Sequence, residues 1–225
     1  MHISVYKMLV LMNVGWILTW SNNSSAAEAA SEKLIIGDFS AGSLDKWGSK
    51  EFKDRTGYEL ANLSGVTVLK AESADSASGL FKEQRIDLQK TPFLNWSWRI
   101  ENRLGNINEQ AKSGDDYAAR VYVIVSGGLA FWRSRAINYV WASTSPKGKI
   151  WPNAFAGDHA MMIALKAAKD KTGTWYTEKH NILTDLKQQF GMDIRYIDAI
   201  AIMTDTDNAH GKATAYYGDI YFSMK

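Results

Sequence analysis

One stretch narrows the fold more than any other: residues 113–143, SGDDYAARVYVIVSGGLAFWRSRAINYVWAS. Within 117–125, Val121, Val123 and Val125 alternate with Arg120, Tyr122 and Ile124. Beyond Arg120 both faces of that run are apolar, the pattern of a central strand covered on two sides. A Gly-Gly turn follows at Gly127 and Gly128, then a second β-run over 136–143. At the mouth of the first run stand Asp115, Asp116 and Arg120, charges that need partners if they enter the sheet.

The remaining chain supplies further strands. Residues 95–101, NWSWRIE, put Trp96, Trp98 and Ile100 on one face. Asn95, Ser97, Arg99 and Glu101 share the other, which is wet or lines a groove. Runs at 33–39, 58–60, 66–70, 80–88, 159–166, 174–182, 194–203 and 213–222 also read as β. Residues 73–78, SADSAS, read as a loop too small and polar for a core, and 129–135 as an irregular excursion with Trp132 turned inward. Residues 102–114 and 205–211 are polar loops. One helix stands out at 183–190: Thr184 can cap it, Leu186 and Phe190 share a face, and Gly191 stops it. About ten strands without βαβ alternation predict an all-β protein, an antiparallel two-sheet β-sandwich, jelly-roll-like, with one short helix.

How such a sandwich holds together depends on where it resides. The chain has no cysteine, so disulfides and thiolate metal sites are excluded and burial must stabilise it. Residues 1–27 resemble a cleaved secretory signal: Lys7, an 11-residue apolar run over 8–18, then small residues at Ser25, Ala26 and Ala27. That run is short of the roughly 20 residues a spanning helix needs. The expected product is residues 28–225 as a single domain, periplasmic or secreted, with no membrane insertion after cleavage. Lys7 is the one charged residue removed, so the formal charge moves from +2 to +1. No basic stripe is present to neutralise phosphates, which disfavours nucleic acid, and none is expected as a partner.

Catalytic patterns are missing. No H-E-x-x-H, G-x-S-x-G, P-loop or dinucleotide glycine motif occurs. Glu101 and Glu178 are isolated acids, so a glycosidase pair would have to assemble from different strands. In an extended chain Asp116, Ala118, Arg120 and Tyr122 point one way. Arg120 can then pair with Asp116 or with an acid on a neighbouring strand, as a groove floor or as a structural ion pair. Seven tryptophans follow residue 27, and aromatic faces suit the C–H groups of sugar rings. Trp96 and Trp98 fit a core, Tyr139, Trp141 and Trp175 lie near loop junctions, and Trp151 fits a rim. The expected ligand site is Asp115, Asp116, Arg120, Tyr139, Trp141 and Trp175, with no catalytic residue. No cofactor is expected; a structural calcium ion at 205–208 (Asp-Thr-Asp-Asn), or between Asp38 and Asp219, is the weaker reading.

The stretches GDDYAARVYVIV (114–125), NYVWA (138–142), 175–190, IAIMTDTDN (200–208) and YYGDIYF (216–222) resemble the bacterial exported family called domain of unknown function 3047. The resemblance implies export and a single domain, and brings no catalytic residues with it. The residues favour a binding module for a saccharide or similar polyhydroxylated ligand, or a cell-envelope component. The alternatives are a polysaccharide hydrolase with paired carboxylates and a structural envelope protein.

Overall fold

The computed structural model describes residues 33–225. The expected signal segment, residues 1–27, lies outside them. Among the described residues, fourteen strands form two seven-stranded sheets. The first sheet contains β1 (Lys33–Gly37), β3 (Gly57–Leu63), β4 (Val66–Ala74), β6 (Phe93–Ile100), β11 (Tyr176–Asn181), β13 (Lys212–Tyr217) and β14 (Ile220–Ser223). The second runs in the order β2 (Gly48–Lys53), β5 (Ala77–Asp87), β12 (Tyr196–Asp205), β7 (Arg120–Val125), β8 (Arg135–Trp141), β10 (Gly157–Lys166), β9 (Ile150–Asn153). The architecture is the expected β-sandwich. Neighbours are antiparallel except β8 and β10, which run parallel.

The core lies between the sheets, and period-two alternation decides what enters it. From β6 come Trp96, Trp98 and Ile100, all buried, and from β7 and β8 come Val121, Val123, Ile137, Tyr139 and Trp141. Trp96 meets Tyr139 with ring centroids 5.3 Å apart, and Trp98 meets Trp141 at 5.9 Å. The helix, α1 (Ile182–Phe190), closes one edge, burying Ile182 and Leu186, and Gly191 ends it in the left-handed region at φ 66°.

Several local expectations change. Asn181, not Thr184, caps α1: its side chain accepts from the Thr184 backbone N–H. Residues 73–78 are largely strand, with Ser73, Ser76 and Ser78 buried. The Ser73 hydroxyl pairs with those of Ser76 and Thr206, and Ser78 Oγ accepts from the Thr56 backbone N–H, which removes the penalty that small polar residues would otherwise carry. Asp205 belongs to β12 and is fully buried, not part of a surface loop. Trp151 lies in β9 and is buried against Tyr117 and Met162, while Trp132 turns outward and is 56% exposed.

Candidate functional site

The first sheet is split along β6. One side of β6 pairs with β11. The other side pairs with β13 and then β14, which are separated by Gly218 and Asp219. Beyond them, β13 continues to β4 and β14 to β1. At that break the outer face opens into a cleft of about 520 Å3. Its floor comes from the polar alternates of the tryptophan strand: Asn95 and Ser97, with Thr177 opposite Ser97 and Tyr221 opposite Asn95. Val66 and Val68 form an apolar wall, Ser40 and Asp219 a polar one, and Trp175 stands at the margin, 36% exposed.

The polar groups are held in place. Asp219 accepts from the Ser40 backbone N–H at 2.8 Å and from its hydroxyl at 2.5 Å. Asp219 therefore meets Ser40, not Asp38. The Asn95 amide nitrogen donates to Ser223 Oγ at 3.0 Å and to the Phe93 carbonyl at 2.9 Å. Gly218 donates its N–H to the Ser97 carbonyl. A Cβ at 218 would sit 2.2 Å from Ser97 Oγ, so glycine there leaves room for a hydroxyl on the cleft floor.

The sequence-expected cluster takes a different place. Asp115, Asp116 and Arg120 come together, all at 0% exposure. Arg120 pairs with Asp205 on the neighbouring strand: Nε donates to Oδ1 at 3.0 Å, and Nη2 meets Oδ2. Its Nη2 also donates to the Asp115 carbonyl at 3.2 Å. Asp115 accepts from Asn153 Nδ2, and Asp116 from the backbone N–H groups of Asn208 and Ala209. Burial pushes the Asp115 carboxyl up to about 6, against the opposing pull of Arg120. Burial also raises Asp207, helped by Asp116. Asp116, Asp205 and Asp207 offer oxygens within 4.8 Å of one another. Arg120 already balances Asp205, and N–H groups already occupy Asp116.

Tyr139 and Trp141 lie in the sandwich interior. Tyr139 donates its hydroxyl to Asp185, and burial holds that hydroxyl well above its ordinary pKa. Trp141 packs edge-on against Tyr176. Of the six expected residues, Trp175 alone reaches the cleft. Asn95 and Ser97 belong to the face of residues 95–101 that the alternation marks as wet or groove-lining, and β11 brings Thr177 beside Ser97. Glu178, an isolated acid in sequence, is tied to Lys166 at 2.9 Å and to Trp98 Nε1 at 3.2 Å. Glu101 is tied to Arg99. No helix among the described residues is long and apolar enough to cross a membrane.

Residues 45–221 match a family described as "Protein of unknown function (DUF3047)". No curated protein matches the chain in sequence. Among solved structures it is similar to a family 11 carbohydrate-binding module of a cellulosomal cellulase of Clostridium thermocellum. That likeness has 10% identity and a TM-score of 0.48, covering 87% of this chain and 96% of that one. A family 30 carbohydrate-binding module from the same organism gives 9% identity and a TM-score of 0.44, over 79% and 91% of the two chains. A cellulase derived from that of Rhodothermus marinus gives 9% and 0.45, over 84% and 98%. Function has to be read from the residues of the chain itself.

Proposed function

The chain belongs to the DUF3047 family, and we propose that it is a non-catalytic binding module for a saccharide or similar polyhydroxylated ligand. The observation that carries this reading is the cleft at the break between β13 and β14. There a half-exposed tryptophan stands beside hydroxyl, amide and carboxylate groups that are already positioned. A sugar ring presents apolar C–H groups on its faces and hydroxyls around its edge. Trp175 offers the electron-rich aromatic face that attracts such C–H groups. Ser97, Thr177, Ser64 and Asp219 offer donors and acceptors around it. A cleft of this size suits a short saccharide segment.

The hydrolase alternative needs two carboxylates facing one another across the ligand, about 5–10 Å apart. Asp219 is the one carboxylate among the residues lining the cleft, and Ser40 holds it. Binding without turnover is therefore the better reading. Export to the periplasm or medium is part of the proposal, as is a polysaccharide or envelope glycan as partner. The structural-envelope alternative would use another surface, the turn between β7 and β8, where Leu129 is 93% exposed.

Affinity electrophoresis tests the ligand class. The purified protein is run through gels containing laminarin, xylan, soluble cellulose derivative or galactan. Retardation in at least one gel, with no reducing sugar released on incubation, is expected. Unretarded migration in all four, or release of sugar, would contradict the proposal.

A further inference from the structure

The fixed polar groups of the cleft beside β6 have committed their donors. Ser40 directs both its backbone N–H and its hydroxyl to Asp219. Asn95 turns its amide nitrogen into the protein, to the Phe93 carbonyl and Ser223 Oγ. The Gly218 N–H goes to the Ser97 carbonyl. What these groups keep for a ligand is acceptors. An ionised carboxylate has about four lone-pair sites and no proton to give, and Ser40 occupies part of that capacity on Asp219. The Asn95 carbonyl oxygen and the Ser40 hydroxyl oxygen are likewise acceptors once their hydrogens are committed.

Charge points the same way. Among the described residues that line the cleft, Asp219 is the one that carries a charge. Cations stand outside the lining and are engaged there. Lys33 lies 4.5 Å from the centre of the Tyr221 ring, and Lys179 lies 4.8 Å from that of Phe93. Arg99 pairs with Glu101 at 2.6 Å and Lys70 with Glu72 at 2.9 Å. A neutral saccharide matches such a surface in part, because each hydroxyl brings acceptor lone pairs along with its donor. An ammonium group brings donors only, no acceptor, and a positive charge. Its hydrogen bond to a carboxylate is charge-assisted, roughly twice as strong as a neutral one. Walls that hold off water strengthen it further.

We infer that the cleft selects amino sugars: glycans that carry a free, protonated amine, as deacetylated hexosamine units do. The ammonium group meets Asp219, Asn95 and Ser40 supply further acceptors, and the ring stacks on Trp175. Acidic glycans are repelled by the same carboxylate. The inference rests on the assignment of the cleft as the saccharide site and adds the chemical class of the sugar.

The test is calorimetric titration of the purified protein in mildly acidic, low-salt buffer, where a sugar amine holds its proton. The probes are cellohexaose, its N-acetylglucosamine counterpart chitohexaose, the deacetylated glucosamine hexamer and a glucuronate hexamer of the same linkage. The glucosamine hexamer should bind about tenfold more tightly than cellohexaose or chitohexaose, and the glucuronate hexamer most weakly. Added salt should erode that preference, because screening acts on the charge pair and not on stacking. Asp219→Asn keeps an oxygen for the Ser40 N–H and offers Nδ2 to its hydroxyl; in it, glucosamine and glucose hexamers should bind alike. Ser64→Lys is an exposed change in the lining that adds a cation, and it should abolish the same preference even if Asp219→Asn melts lower. The inference is overturned if wild type binds the glucose and glucosamine hexamers equally, if both variants keep the preference, or if no hexamer binds. Trp175→Ala separates this from failure of the cleft assignment. Affinity lost in Trp175→Ala for hexamers that wild type does not distinguish by charge leaves the cleft standing and removes the inference. Unchanged affinity for every hexamer in Trp175→Ala removes both.

Discussion

Raising the pH from about 4 to about 8 should destabilise the fold through one carboxyl, Asp115. The group is fully buried beside Arg120, Asn153 and Asp116. Loss of hydration outweighs the attraction of Arg120 and lifts its pKa from 3.8 to about 6. At about 1.4 kcal/mol per pH unit, that displacement corresponds to about 3 kcal/mol. The folded state holds this proton more tightly than the unfolded chain does. Its contribution is therefore fully present below about pH 4 and is lost as the pH rises through about 6. Asp115→Asn keeps the shape and an oxygen for Asn153 but does not titrate. Urea unfolding of both proteins across this range isolates the group, because the other carboxyls cancel in the difference. The stability of Asp115→Asn minus that of wild type should climb by about 2 kcal/mol between pH 4 and 7, the unfolded carboxyl being already about half ionised at pH 4. A flat difference would refute the assignment of burial as the dominant cause. A difference that falls would mean that the ion pair with Arg120 prevails.

Two further outcomes follow from named contacts. Gly218→Ala should force the Ser97 hydroxyl away from the added Cβ, which would lie 2.2 Å from it. Saccharide affinity should then fall several-fold in calorimetry while the melting temperature changes little; unchanged affinity would remove Ser97 from the site. Treatment with EDTA should leave the melting temperature where it was, because Arg120 and backbone N–H groups already serve Asp205 and Asp116. A fall reversed by calcium chloride would instead assign a cation to Asp116, Asp205 and Asp207.

The sandwich was legible because strand periodicity is a local property. Residues 95–101 announce their buried face and their wet one without reference to the rest of the chain. The doubly apolar run from Val121 to Val125 announces a central strand. What could not be read locally was which polar groups the fold would seal. Asp115, Asp116 and Arg120 look like groove material until Asp205, 85 residues beyond Arg120, arrives on β12 to complete the ion pair. Ser73, Ser76 and Ser78 look like a loop until Thr206 and Thr56, distant in sequence, meet their hydroxyls. Tyr139 and Trp141 lie at a strand whose inward face only the sheet pairing defines. The cleft itself arises from the break at Gly218 and Asp219, which sends β13 and β14 to different partners. No run of residues encodes that divergence, and of the expected site residues Trp175 is the one that lies at the cleft.

The most direct measurement is the affinity of Trp175→Ala, compared with wild type, for the polysaccharide that retards the protein in gels. Trp175 packs at the margin of the cleft and is 36% exposed, so its removal should leave the core and the melting curve essentially intact. If its indole face carries sugar stacking, affinity should drop at least tenfold, or about 1.4 kcal/mol, and Trp175→Phe should recover part of it. A folded Trp175→Ala protein that binds as tightly as wild type would contradict the assignment of the cleft as the saccharide site.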